Sequence, residues 1–133
     1  MKLAVGIDLV QVSRIAESLE RFGERFLRRV FTEGEIAYAT SAPALTHQRL
    51  AARFAAKEAA IKALGLGAHD VGWRQIEVAS LPSGACELRL HGEARAVAEA
   101  SGAADLAVSL SHEGDLATAI VVTHLQRTPA PSS

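Results

Sequence analysis

The segment from Thr46 to Leu64 constrains this chain more than any other. It runs without glycine or proline and is built mainly of Ala, Leu, Lys, Glu and Arg, all strong helix formers. Gly65 and Gly67 follow at the place where a helix is expected to stop. The composition predicts one long helix. The rest of the 133 residues supplies shorter elements.

Most of those other elements read as strands. Residues 3–8 are β-rich and weakly alternating, which predicts a first strand. A helix is expected from about Ser13, where Ile15, Leu19, Phe22, Phe26 and Leu27 recur at spacings of three and four. Its other face carries Arg14, Arg21, Arg25, Arg28 and Arg29 among Glu17, Glu20 and Glu24. Thr32 with Glu35 three residues on has the form of a capping box, opening a short helix to Ala39 that Ser41-Ala42-Pro43 ends. Beyond the central helix, Arg74–Ala79 and Glu87–His91 read as strands of a hairpin around Pro82-Ser83-Gly84. Ala94–Ala100 reads as a helix stopped by Gly102. Leu106–Ser111 and Ala117–Thr123 read as two last strands joined by His112-Glu113-Gly114-Asp115. Strand, helices, then strands with one helix between them is an α+β order, not a βαβ array. The tail from Gln126 to Ser133 holds two prolines and two serines and is expected to be disordered, which leaves residues 1–125 as a single domain.

Charge and cysteine content narrow the classes of function. Lys plus Arg number 14 and Asp plus Glu 15, a net charge of −1, so the positive excess of a polybasic nucleic-acid binder is missing. With 49% hydrophobic residues but only 5% aromatics, the core must be mostly aliphatic. Cys86 stands alone, which excludes an internal disulfide and a cysteine-based zinc site and reads as a half-buried small hydrophobe. The apolar run Leu3–Val10 is short and interrupted by Asp8, unlike a signal peptide, and no stretch approaches a membrane span. The expectation is a soluble cytoplasmic protein with neither nucleic-acid nor membrane partners.

The chemistry-bearing residues concentrate on the long helix. Phe54, Glu58 and Lys62 are spaced by four and stack along one face, with Arg53 and Lys57 on the adjoining row. A carboxylate flanked by cations suits a metal–phosphate complex. An i,i+4 surface ion pair between Glu58 and Lys62 accounts for the same spacing. Asp8, at the end of an apolar strand, is costly to bury without a partner. It reads as a strand-end turn or cap, or as a second oxygen ligand for a hard cation. Ser111-His112 ends a predicted strand, but no Gly-x-Ser-x-Gly elbow accompanies it. His47, His69, His91 and His124 are scattered, with no zinc-binding pair among them. Gly65-Leu66-Gly67 follows a helix instead of preceding one and lacks the phosphate-loop pattern.

Taken in order, these segments resemble the holo-[acyl-carrier-protein] synthases, the small bacterial 4′-phosphopantetheinyl transferases. Val5-Gly6-Ile7-Asp8-Leu9-Val10 followed by Arg14-Ile15 is similar to the family's opening motif. Arg53-Phe54-Ala55-Ala56-Lys57-Glu58-Ala59 followed by Lys62-Ala63 resembles its signature helix. Trp73 with Ile76-Glu77-Val78 resembles a third motif, and Val108–His112 with Ala117–Val122 the closing hairpin. The match covers about residues 3–125. Two positions depart from it: Gln75 stands where an acidic residue is frequent, and Cys86 where a proline is usual. The departures bear on local turn geometry and not on the reaction.

The resemblance implies an antiparallel sheet wrapped around the long helix. It also implies transfer of the 4′-phosphopantetheine arm of coenzyme A to a serine of an apo acyl carrier protein, releasing adenosine 3′,5′-bisphosphate. Asp8 and Glu58 would ligate Mg²⁺ and Lys62 would contact the pyrophosphate, with Lys57 close by. Arg53, Ser111 and His112 match positions near the nucleotide. Glu58, directly or through a bound water, is the first candidate for the serine proton. Carrier proteins of this kind are acidic, so Arg14, Arg21, Arg25 and Arg28 would form a docking surface with Phe22 or Phe26 as an apolar anchor. A solvated helix of mixed charge is the plainer account of the same residues. The family pattern further implies a homotrimer with sites shared between subunits. A non-catalytic module for acidic proteins and a metal-dependent phosphohydrolase are the rival readings.

Overall fold

Helix α4 (Thr46–Leu64) occupies the residues expected of it and is buried nearly all round, as a helix at the centre of a small fold must be. The computed structural model describes residues 2–103 and 105–126. Strand β1 (Lys2–Gln11) leads into helices α1 (Val12–Phe22), α2 (Glu24–Val30) and α3 (Glu33–Thr40). After α4 come strands β2 (Ile76–Ser80) and β3 (Cys86–Leu90), helix α5 (Gly92–Ala100), and strands β4 (Leu106–Glu113) and β5 (Leu116–Leu125). The strands form an antiparallel three-stranded sheet in the order β1-β5-β4 and a separate β2-β3 hairpin.

The sheet lies directly against α4 because both surfaces are small. Ala119 and Val121 of β5 meet a helix face that includes Ala55, Ala56, Ala59 and Ala63, and Ala117 packs with Ala51 and Ala52. Gly6 of β1 is the tightest point. A Cβ built there would lie 1.9 Å from the Ala59 carbonyl oxygen, so only glycine permits this approach of strand to helix. The inner faces of the β2-β3 hairpin and α5 complete this core through Ile76, Val78, Leu88, Ala94 and Ala98. A second core gathers Val12, Ile15, Val30, Phe31 and Leu50 where α1, α2 and α3 meet α4.

Alternation along β1 leaves its other face uncovered. Leu3 is 67% exposed and Val5, Ile7 and Leu9 are each 61% exposed, while Leu116 and Ile120 of β5 extend the same apolar surface.

Several boundaries differ from the sequence expectation. The single helix expected from about Ser13 is two helices, because Gly23 adopts φ +57 and its amide donates to the Leu19 carbonyl, ending α1. β4 and β5 extend to a two-residue turn at Gly114-Asp115, so His112, expected in a loop, lies on a strand. No side chain of the local sequence caps α1. Asp115 of that turn does so from 102 residues away, accepting from the Ser13 amide at 2.9 Å and its hydroxyl at 2.6 Å. The capping box of α3 is present as expected, with Thr32 and Glu35 satisfying one another's backbone amides. Gln75 caps α5, its side-chain oxygen accepting from the Ala94 amide at 3.1 Å. Gln126, expected in the disordered tail, donates its amide to the Ser101 carbonyl at 3.0 Å, and residues 127–133 lie outside the described residues.

Candidate functional site

Gly6 and the α4 alanines bring β1 close enough for Asp8, two residues on and on the same face, to meet the one partly open stripe of the helix. That stripe is Phe54, Glu58 and Lys62. Lys62 Nζ donates to Asp8 Oδ1 at 3.2 Å and to the Ile7 carbonyl at 2.9 Å. The surface pair considered between Glu58 and Lys62 is therefore not the contact formed: among the described residues Lys62 pairs with Asp8. Glu58 stands beside both. Burial pushes its carboxyl pKa up, the negative charge of Asp8 raises it further, and Lys62 only partly opposes them. Two neighbouring carboxylates with insufficient positive charge are a place where a cation is favoured. Among the described residues no group of three or more His, Cys, Asp or Glu forms a complete metal cage.

Asp8 opens into a hollow of about 500 Å³ that is also lined by Arg14, Ile15, Ser18, Phe26 and Phe54. Phe26 and Phe54 continue into a second groove of about 450 Å³ with Phe22, Arg25, Arg29 and Trp73. Phe54 stacks on Trp73 with ring centroids 5.1 Å apart. The expected docking residues thus divide. Arg14 shares the hollow with Asp8, while Phe22, Arg25 and Phe26 line the adjoining groove. Arg21 lies over the exposed Phe22 ring at 5.3 Å. Arg28 is engaged with Glu24 at 3.1 Å. Arg29 and Trp73 were not among the candidates. The aromatic at Trp73, lying just before a strand, was the available signal.

Lys57, expected near the phosphates, is placed elsewhere. Its side chain is 0% exposed and its ammonium lies 2.8 Å from the equally buried Glu35 carboxylate. It also donates to the carbonyls of Trp73 and Ile76. Glu35 in turn accepts from the Val78 amide at 2.9 Å. Burial lowers the Lys57 pKa, and Glu35 opposes that shift. The reason is azimuth: at about 100° per residue, Lys57 shares a row with Arg53 and turns away from Glu58 and Lys62.

Arg53 lies on that same turned-away row. Its guanidinium is 4.2 Å from the Tyr38 ring centroid and donates to the Ser80 hydroxyl at 2.6 Å. Burial lowers its pKa, with the nearby Cys86, Tyr38 and Glu35 opposing. It lines a groove of about 250 Å³ together with Arg49, Cys86, Ser111 and His112. None of the residues lining this groove lines the Asp8 hollow. The candidate residues therefore fall into two groups on one chain: Asp8, Glu58, Lys62 and Arg14 in one, and Arg53, Ser111 and His112 in the other. Ser111 also borders the outer sheet face, in a groove with Leu9 and Thr118.

The family model described as the 4′-phosphopantetheinyl transferase superfamily matches residues 4–121. The chain is 46% identical over 123 residues to the holo-[acyl-carrier-protein] synthase of Solibacter usitatus, covering 92% of this chain and 98% of that one. It is 50% identical over 117 residues to the synthase of Carboxydothermus hydrogenoformans, covering 88% and 94%. Among solved structures, it is similar to the Chronobacterium ammoniagenes ACPS–CoA complex, with a TM-score of 0.84, 36% identity and coverage of 96% and 100%. The Helicobacter pylori holo-[acyl-carrier-protein] synthase in complex with coenzyme A matches with a TM-score of 0.78, 30% identity and coverage of 90% and 99%.

Proposed function

This chain belongs to the 4′-phosphopantetheinyl transferase superfamily, and from that membership we infer how its own residues divide the work. It is a holo-[acyl-carrier-protein] synthase: it transfers 4′-phosphopantetheine from coenzyme A to a serine of an apo acyl carrier protein. The serine oxygen bonds to the phosphorus that carries the pantetheine arm. The bond from that phosphorus to the bridging oxygen breaks, and adenosine 3′,5′-bisphosphate leaves. Residues 1–125 are taken as one catalytic domain in the cytoplasm, and no described helix is long and apolar enough to cross a membrane.

The observation that carries the assignment of residues is the meeting of Asp8, Glu58 and Lys62 across the β1–α4 contact. Asp8 and Glu58 supply two hard oxygen donors with excess negative charge, which fits Mg²⁺, a cation usually held by one or two carboxylates plus waters and substrate phosphates. When bound, Mg²⁺ stabilises negative charge on the pyrophosphate and its leaving group. Lys62 is half exposed and exchanges Asp8 for a phosphate oxygen as substrate enters. Glu58, directly or through a bound water, is the candidate to take the serine proton. Arg53, Ser111 and His112 receive the nucleotide end. Lys57 serves the fold and contacts no substrate.

The separation of the two groups supports a homotrimer in which one copy supplies Asp8 and Glu58 and its neighbour supplies Ser111 and His112. The outer sheet face offers Leu3, Val5, Ile7, Leu9, Leu116 and Ile120 as the surface to be covered. The acidic carrier docks on Arg14, Arg21, Phe22, Arg25 and Phe26, with Arg28 at the rim. Arg29 and Trp73 extend the same groove. The deciding experiment incubates the chain with coenzyme A, Mg²⁺ and an apo carrier and follows the mass of the carrier. One phosphopantetheine per carrier is expected. Phosphate release from coenzyme A without a carrier would replace this reading with a phosphohydrolase, and carrier binding without mass gain would replace it with a binding module. Sedimentation as a monomer at assay concentration would remove the shared site.

A further inference from the structure

Lys57 is a buried charged group that the reaction leaves unused, and two of its contacts lead to walls of the aromatic groove. Its ammonium donates to the Trp73 carbonyl at 3.1 Å, and the Trp73 ring stacks on Phe54 with the planes 27° apart. It also lies 5.7 Å from the centroid of the Phe31 ring, which meets Phe26 edge to face at 6.0 Å. Phe26, Phe54 and Trp73 are three of the residues that line the 450 Å³ groove. Trp73 opens a single turn, Trp73–Gln75, and is half-buried. Residues 67–70 and Gly72, just before it, are exposed and give it little to pack on. Among the described residues, Lys57 is the one side chain hydrogen-bonded to the Trp73 backbone. Glu35 fixes that donor in turn. Its carboxylate lies 2.8 Å from the ammonium and also accepts from the Thr32 and Val78 amides. A buried, saturated network of this kind specifies one arrangement, because each bond it makes is costly to strand.

We propose that Lys57 is a positioning residue for the carrier: it holds the Trp73 turn where the indole closes the groove against Phe54, and so sets carrier affinity without touching the carrier. Without the ammonium the Trp73 and Ile76 carbonyls lose this donor. The turn then moves toward water to satisfy them, and the indole leaves Phe54. Arg25 and Arg29 stay in place, so charge still steers the acidic carrier to the groove, and the apolar anchor is what fails. Lys57 shares no hydrogen-bond partner with Arg53 or Lys62, so coenzyme A binding is spared. In one respect this rests on the proposed function: the groove is taken as the docking place of the carrier.

The test uses the full chain carrying Lys57→Met, and Lys57→Met with Glu35→Leu, in which no carboxylate is left stranded if the single variant does not fold. Transfer is followed with apo acyl carrier protein varied and, separately, with coenzyme A varied. KM for the carrier should rise about tenfold, the scale of losing one interface anchor, while KM for coenzyme A and kcat stay within about twofold. Trp73 is the one tryptophan of the chain, so native-state emission reports on the indole and should shift to the red. In a Trp73→Ala background, removing Lys57 should raise the carrier KM no further, as for residues that act through one another. Equal rises in both KM values, a fall in kcat alone, unshifted emission, or full additivity with Trp73→Ala would overturn the proposal. If neither variant folds, Lys57 is a folding residue only and the proposal falls. Should the wild-type chain neither bind the carrier nor modify it, the functional reading fails, and the emission shift still decides whether Lys57 places Trp73.

Discussion

Lys57 and Lys62 lie on the same helix, five residues apart, each beside a carboxylate, and they live in different solvents. Lys57 and Glu35 are both 0% exposed, with every remaining donor and acceptor engaged by backbone. Lys62 is 54% exposed and Asp8 20% exposed, and Glu58 beside them has no partner of its own among the ion pairs of the described residues. A buried, saturated pair cannot exchange partners without leaving a charge stranded. A half-exposed pair exchanges at little cost. The first arrangement holds α3 and the β2-β3 hairpin to α4. The second is available to a substrate.

The largest effect should come from breaking the buried pair. Lys57→Met strands Glu35 and is expected to cost about 3–5 kcal/mol in urea denaturation. Lys57→Met combined with Glu35→Leu should recover much of that loss, because replacing both partners by apolar groups is far milder than removing one. Equal losses in single and double variants would mean that packing, not charge, holds this site. At the open pair the balance reverses. Asp8→Asn or Glu58→Gln should lower transfer by about 10²–10³, the range for removing one preorganised electrostatic group, with the folded state retained. Wild-type turnover in either variant would remove the pair from the mechanism.

Gly6→Ala falls between the two. Its Cβ meets the Ala59 carbonyl, so a loss of about 1–3 kcal/mol is expected from overpacking. Turnover should fall as well, because Asp8 moves with the strand.

The pH dependence separates the two regions further. The folded Glu58 pKa lies above its unfolded value, so the folded state holds more protons than the unfolded one in the window between them. Stability from this group is therefore lost as pH rises from about 4.3, the ordinary glutamate value, through the raised folded value. Glu58→Gln should flatten that slope, and added Mg²⁺ should do the same by favouring the charged form. Glu77 runs the opposite way. Burial alone would raise its pKa, but hydrogen bonds from Thr32 and His91 outweigh that and hold it low. Its contribution is present above the unfolded value and lost as pH falls through the folded one. Urea midpoints across pH for Glu58→Gln and Glu77→Gln should diverge from wild type in opposite directions. The smallest effect is on the surface: Arg28→Ala breaks the exposed pair with Glu24 and should change stability by less than about 0.5 kcal/mol.

The sequence shows α4 to the residue, the capping box at Thr32 and Glu35, and the stripe of Phe54, Glu58 and Lys62, because each is written in local chemistry. It does not show which way Lys57 points. Periodicity assigns an azimuth, but a helix buried on nearly every side has no single inward face to orient it. The division at Gly23 is hidden because the apolar spacing continues across it into Phe26 and Leu27. The Asp115 cap is invisible for a different reason: no local rule connects a turn residue to a helix start 102 positions earlier. The separation of Arg53 from Glu58 needed the burial of both sides of the helix to be known.

The sheet order has one more consequence, for the timing of synthesis. β1 is made first, yet its one partner in the sheet is β5, the last strand of the described chain. Until Leu116–Leu125 has left the ribosome, β1 has no ladder to join, and α1 lacks the aspartate that holds its first turn. Asp8 and Glu58 are both translated well before Leu116, but the strand that presents Asp8 is locked only once β5 has been made. A nascent chain that stops short of Leu116 therefore carries both carboxylates without the framework that holds them together. Activity in this protein should switch on late and all at once instead of growing with length.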